Sequence, residues 1–345
     1  MKQKMKRYST IFCAAALVLL CSGCGKDLTI GKNDAEKMHF DAWISVNAPK
    51  ATRVEPGIYI MSEDKGSGEA LGSQDDSPYI LVEYSSQLLN GVYTGYTTEE
   101  LARRIGTYSP TDYYGPVLWT RKGNGLTAGL DAAVSRLNVG GSTKAIIPGW
   151  LLSFNRYPTE KGYLDNESGT DGIFDIKVCG KINDLQKWEL DSLITHVKRV
   201  HPEIEAKDSL KNGFYYIQRK ASKTDKAYGS TEKFYINYIG RRLDGVVFDT
   251  NVADTAKKYD IYSSKKTYKP SVIARAEKYS EFTMASSSLI DGFAYALYQM
   301  KPFEQCTVYF LSKYGYKETG SKKTIPAYSP LRFDIDIVTQ DGKYE

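Results

Sequence analysis

Five patterns in this chain occur twice, each pair offset by 154 to 163 residues. Gly57-Ile58-Tyr59-Ile60-Met61 is answered by Gly213-Phe214-Tyr215-Tyr216-Ile217. Tyr79-Ile80-Leu81-Val82-Glu83-Tyr84 is answered by Lys233-Phe234-Tyr235-Ile236-Asn237-Tyr238, and Asn90-Gly91-Val92-Tyr93 by Asp244-Gly245-Val246-Val247. The stretch opening at Gly129-Leu130 answers the one at Gly292-Phe293, and Gly172–Val178 answers Leu331–Ile337. Offsets that drift so little are the mark of a duplicated unit, so the fold must fit twice into 345 residues. Leu331, Phe333, Ile335 and Ile337 alternate with Arg332, Asp334 and Asp336, the period of a half-buried strand. Phe293, Leu297 and Met300 fall at i, i+4 and i+7, the stripe of a short helix. Each copy is therefore predicted to be α+β, with a short helix laid across an antiparallel sheet.

The chain divides on composition. Residues 1–23 read as a lipoprotein signal peptide: a basic start, an apolar run from Ile11 to Leu20 too short to span a bilayer, and Ser22-Gly23 before Cys24. Ser-Gly-Cys resembles a bacterial lipobox, which implies an acylated Cys24, a bilayer as partner, and a place in the cell envelope on the periplasmic side or cell surface. Cys21-Ser22-Gly23-Cys24 is also formally a redox C-x-x-C, but no β-α-β pattern follows it. Residues 24–52 are polar and read as a tether, 53–182 as the first domain, and 208–345 as the second. Between them, residues 183–207 carry Trp188, Leu190, Leu193, Ile194 and Val197 at helical spacing behind Asp184, a linker helix. Residues 95–122, 155–171 and 251–280 are expected to be surface loops beside clefts. Cys179 and Cys306 fall in strand-like segments and are expected to be buried free thiols.

Several function classes drop out. The formal charge of +5 falls to about +1 without Lys2, Lys4, Lys6 and Arg7 of the leader, so nucleic acid is not an expected partner. His196 and His201, two of three histidines, are five apart and do not share a helix face as a metal pair would; no metal or cofactor is expected. Gly66-Ser67-Gly68 and Gly123-Asn124-Gly125 lack the spacing of a dinucleotide loop.

Read in order, the motifs of the second copy resemble the FKBP-type prolyl isomerases. Phe234-Tyr235-Ile236-Asn237-Tyr238 ends a strand in an aromatic residue, and Asp244-Gly245 turns into Val246-Val247-Phe248-Asp249. Leu289-Ile290-Asp291-Gly292-Phe293 opens the helix, then Tyr314-Gly315-Tyr316, Ile325-Pro326-Ala327 and Phe333-Asp334-Ile335 follow. The resemblance implies two FKBP-like domains, each a twisted antiparallel sheet wrapped on a short helix, joined by a helical linker. It implies activity in the second domain on proline-containing polypeptides that are exported. The class-different alternative is a pair of non-catalytic domains acting as a chaperone or assembly module at the membrane.

Rotation about an X–Pro bond faces a barrier of roughly 18–20 kcal/mol set by amide resonance. An apolar pocket lowers it by favouring the less polar twisted amide, with no nucleophile taking part. By resemblance Tyr238, Phe248, Phe293 and Phe333 form the walls, with Leu289 and Ile325 at the sides. The Ile290 N–H and the Tyr316 hydroxyl hold substrate carbonyls, and Asp249 lies near the rotating one. The departures are Phe293 where the family has Trp, Lys317 where it has Gly, and Ala327 where it has Pro. In the first copy Phe-Asp becomes Thr94-Gly95, or Tyr93-Thr94 if the turn is shifted by one, the helix opens Leu126-Thr127-Ala128-Gly129-Leu130, and Leu152-Ser153-Phe154 replaces the Tyr-x-Tyr loop. Of the lining only Tyr84 and Phe174 remain, so that copy is expected to be catalytically silent and to bind polypeptide or act as a scaffold.

Overall fold

The computed structural model describes residues 33–204 and 213–344. Cys24 and the leader therefore lie outside the described residues, as does the end of the linker. The first sheet is built from β1 (Thr52–Val54), β2 (Ile58–Asp64), β3 (Tyr79–Leu88), β4 (Tyr93–Tyr96), β5 (Val117–Thr120), β6 (Ser142–Ile147) and β7 (Gly172–Ile182). Its order is β1-β2-β6-β7-β3-β4, with β5 also on β3. The second sheet uses β8 (Phe214–Lys220), β9 (Lys233–Arg242), β10 (Val247–Thr250), β11 (Ser271–Ala274), β12 (Thr283–Met284), β13 (Ser287–Ser288), β14 (Gln305–Phe310) and β15 (Leu331–Val338). Its order is β13-β12-β11-β9-β15-β14-β8, with β10 on β9. The shared core of the two is one connectivity, since β2-β6-β7-β3 answers β8-β14-β15-β9 and every pairing is antiparallel. The duplication read from the offsets is thus present in the hydrogen-bonded order.

Helices α1 (Asp34–Asn47), α2 (Glu99–Arg104), α3 (Ala128–Val134), α4 (Glu160–Asn166), α5 (Leu185–Val200), α6 (Ala253–Lys258) and α7 (Asp291–Gln299) complete the main elements. In the second domain, α7 lays Phe293, Leu297 and neighbouring Met300 onto Val308, Phe310, Phe333 and Ile335 of the sheet. Its outer face, Tyr295 and Tyr298, stays exposed. This is the amphipathic division its spacing predicts.

Part of the expected tether is structured. α1 buries Phe40 and Ile44, with the Phe40 ring 5.8 Å from Tyr59 and 5.5 Å from Trp150. A short apolar stripe in a mostly polar segment is enough to seat a helix on a domain. The expected surface loops also do more than decorate. Residues 95–122 and 251–280 each contain a short helix and then a strand, β5 or β11, that extends its sheet. In 155–171, α4 buries Tyr163 in the core shared with Phe40.

The linker helix begins at Asp184, whose carboxylate accepts from the Lys187 N–H at 2.9 Å. Leu193 and Val197 pack on Tyr215, Tyr309 and Leu311, so α5 lies on the second domain. The strand alternation also needs a correction at Asp334, which is buried. It accepts from the Thr307 hydroxyl at 2.6 Å and pairs with Arg332 and Arg241. Burial works to raise its pKa, but the Thr307 hydrogen bond, Arg332 and Arg219 together pull it below the usual carboxylate range. Cys306 is buried, as expected, and its thiol approaches the Met300 sulfur at 3.5 Å. Cys179 is only half-buried.

Candidate functional site

The second sheet brings the predicted lining residues together. Tyr238 comes from β9, Phe248 and Asp249 from β10, Phe293 from α7 and Phe333 from β15. Tyr238, Phe293, Phe333 and Ile325 are buried in one apolar cluster, with Phe248, Leu289, Ile290 and Tyr316 half-buried against it. Ring centres lie 5.7 Å apart for Tyr238 and Phe293, 4.9 Å for Phe293 and Phe333, and 5.7 Å for Phe248 and Phe333. Those tilted and edge-on contacts are the favoured geometry for aromatic pairs.

Two features of β9 and β10 make this possible, and neither was singled out in the sequence. The β9–β10 register slips between Val247 and Asp249, so two residues of β10 oppose one of β9. Such a bulge re-aims a side chain, here Phe248. Its ring lands over Gly240, where a Cβ would stand 2.8 Å from Phe248 and 2.9 Å from Phe333. A glycine inside a strand was the available signal, since close approach is its usual reason. Just beyond, the Asn251 side chain accepts from the Tyr238 N–H at 2.9 Å and donates to the Ile236 carbonyl at 2.8 Å. It stands in for backbone pairing where β10 leaves the sheet.

At the rim, Asp249 accepts from the Tyr238 hydroxyl at 2.8 Å and pairs with Lys266. Lys266 is a further residue missed, lying in a stretch with no motif. Burial raises the pKa of the Tyr316 phenol, and the nearby charge of Asp249 raises it further. Tyr238 is raised for the same two reasons, burial first. Both phenols are therefore protonated donors at neutral pH. Ile290 immediately precedes α7, placing its backbone at the helix entry.

The departure at Lys317 keeps the turn. Lys317 takes φ +54°, the left-handed region that glycine occupies without strain. Its N–H donates to the Ser312 carbonyl and its carbonyl accepts from the Tyr328 N–H, both at 2.9 Å. The first domain has a different set of rings at this place, with Tyr84, Tyr96, Tyr113 and Tyr114 around a cavity. Tyr84 is 5.2 Å from Trp119, Phe154 is 60% exposed, and a Cβ on Gly95 would meet the Tyr84 ring at 3.1 Å. The arrangement in the second domain is a cluster of four rings, three of them buried and Phe248 half-buried, edged by protonated phenols and one carboxylate held in place. Apolar rings beside donors and a fixed carboxylate are the groups that can contact an apolar ring and the amide attached to it.

Residues 224–338, which contain all of these side chains, match the model of the family described as FKBP-type peptidyl-prolyl cis-trans isomerase. The macrophage infectivity potentiator of Trypanosoma cruzi is 28% identical over 130 residues, 37% of this chain and 53% of that protein. The match thus spans about half the length of that curated relative. Among solved structures, the three FKBP domains of wheat FKBP73 align at 15% identity and a TM-score of 0.28, covering 83% of this chain and 95% of that one. FkpA from Escherichia coli aligns at 17% identity and a TM-score of 0.30, covering 53% of this chain and 75% of that one.

Proposed function

We propose, on the premise that the second domain of this chain is FKBP-type, that it isomerises X–Pro bonds in exported polypeptides from a membrane-anchored position. The observation that carries the reading is the convergence of Tyr238, Phe248, Phe293 and Phe333 on one cluster, with Asp249 and Tyr316 at its edge. The proline ring enters between those walls, where an apolar surrounding favours the twisted amide over the more polar planar one. The Tyr316 hydroxyl and the Ile290 N–H hold flanking carbonyls, so that only the X–Pro carbonyl turns. Asp249, fixed by Tyr238 and Lys266, orients the rim beside it. The anchor is Cys24, acylated after cleavage of the leader, and its support is the lipobox-like Ser22-Gly23-Cys24 alone.

Cis–trans exchange of a proline-containing peptide, followed with the full chain, tests the reading. The unaltered protein accelerates exchange over buffer. Tyr316→Phe combined with Phe293→Ala lowers kcat/KM at least about tenfold, the size of one lost hydrogen bond plus part of a wall. Rates equal to buffer with the unaltered protein would sink the catalytic reading. In cells, Cys24→Ser moves the protein out of the membrane fraction; unchanged fractionation would dispose of the anchor.

A second reading, chaperone or assembly module without turnover, has its own observation. On the outer side of α7, Phe214, Tyr216, Tyr279, Tyr295 and Tyr314 line a groove of about 450 Å³. Exposed tyrosines offer broad contact area to unfolded chain at small entropic cost. Suppression of client aggregation that survives Tyr316→Phe with Phe293→Ala would favour it.

A further inference from the structure

The cleft position of the first domain is bordered by another part of the chain. The connection between β14 and β15 gives Tyr316 and Ile325 to the second cleft, and between them it reaches the first domain. There the Lys323 carbonyl accepts from the Tyr113 N–H at 2.8 Å. Lys323 Nζ donates to the Tyr96 hydroxyl at 2.9 Å and stands 4.4 Å from that ring's centre. A cavity of about 290 Å³ beside this contact is lined by Tyr84 and Gly95, which answer Tyr238 and Asp249, and by Lys323 and Pro326 from across the interface.

Arg242, at the end of β9 and 5% exposed, ties the two sides together. Its Nη1 donates to the Thr111 carbonyl at 2.8 Å and the Thr324 carbonyl at 2.6 Å, and its Nη2 to the Asp112 carbonyl at 3.3 Å. Its Nε pairs with Asp244 at 3.0 Å. A planar fork that serves carbonyls of both domains is a role lysine cannot copy. The start of the same connection is held by the linker helix, where Glu189 accepts from the Ser312 N–H at 2.5 Å and its hydroxyl at 2.9 Å.

We infer that the eroded cleft of the first domain is a socket for this connection, and that Arg242, Lys323 and Glu189 are positioning residues that set where Tyr316 and Ile325 stand. Lys317, Lys322 and Tyr328 all take positive φ within the connection. Strained residues of this kind persist only where the surroundings over-determine them. Held in advance, the wall need not be ordered by the substrate, and that ordering entropy would otherwise weaken binding. The first domain then acts on turnover without touching the substrate, and the kinetic part of this inference rests on the isomerase reading above.

Amide hydrogen exchange and peptide kinetics on the full chain test it, with Lys323→Glu, Tyr96→Phe, Arg242→Lys and the conservative Lys323→Arg. In Lys323→Glu and Arg242→Lys, exchange at Tyr113 and across residues 312–328 speeds up while the rest of both sheets stays protected. KM rises about threefold to tenfold with kcat within about twofold, and Lys323→Arg restores both. Tyr96→Phe added to Lys323→Glu has little further effect, because the two act through one contact. Unchanged protection at Tyr113 and the connection overturns the socket, and faster exchange with an unchanged KM overturns the positioning role. Should the unaltered chain not catalyse at all, the isomerase reading falls separately. The socket is then decided by protection, and the positioning role by affinity for the same proline peptide.

Discussion

Phe333→Ala destabilises the second domain by about 3–5 kcal/mol and removes its activity on X–Pro bonds. The Phe333 ring, 6% exposed, lies 4.9 Å from Phe293, 5.7 Å from Phe248 and 5.8 Å from Phe310. Truncation leaves a hole between α7 and the sheet that neighbours cannot close, because Phe293 is fixed on the helix and Phe310 is clamped beneath it. A cavity lined by rings that do not relax belongs at the costly end of such substitutions. Phe333→Leu returns most of the volume without the flat face, so it recovers more stability than activity. Urea unfolding can assign the loss to a domain, because Trp43, Trp119 and Trp150 belong to the first domain and only Trp188 rides on α5, which lies on the second. Most of the tryptophan transition therefore stays close to that of the unaltered chain, while the Trp188 part, with the tyrosine and far-ultraviolet signals of the second domain, shifts to lower denaturant. A loss below about 1 kcal/mol would mean that the ring is not part of the core described.

The sequence made much of this legible, for reasons that differ by element. The strand through Phe333 was readable because one of its faces is apolar throughout, and the helix through Phe293 because its stripe has the helical period. The ring cluster followed from the order of separated motifs in a family resemblance, which carries three-dimensional proximity that no local pattern contains. Other features were hidden because their cause is not local. Asp334 looks like a solvent-facing residue of an alternating strand, and only the Thr307 hydroxyl and the arginines around it explain its burial. α1 reads as tether because two buried side chains in a polar stretch carry little periodic signal. Lys266 is brought to Asp249 from 17 residues away in sequence, across a helix and turn. Arg242 reads as a charged residue before a turn, and its burial exists only once two domains meet.

Gly292→Ala is expected to cost the second domain about 1–3 kcal/mol and to lower kcat/KM as well. A Cβ at position 292 would lie 2.5–2.6 Å from three atoms of the Phe310 ring. That ring has no room to turn, being fully buried and stacked between Phe333 at 5.8 Å and Phe214 at 6.3 Å. The helix must lift instead, and the next residue along it is Phe293, so that ring of the cluster moves with it. The duplicated position supplies an internal control. A Cβ on Gly129 would meet Ile147 Cγ2 at 2.3 Å and Leu151 Cβ at 3.3 Å, and Ile147 occupies the place that Phe310 holds 163 residues later. Ile147 is fully buried and β-branched, so Gly129→Ala costs stability as well, but the residue after it is Leu130 and not a ring of the second cluster, so kcat/KM stays within about twofold. Thermal unfolding of both variants, with peptide kinetics on each, measures the difference. If Gly292→Ala proved as stable as the unaltered protein within about 0.5 kcal/mol, the close approach of helix to sheet could not be what positions Phe293.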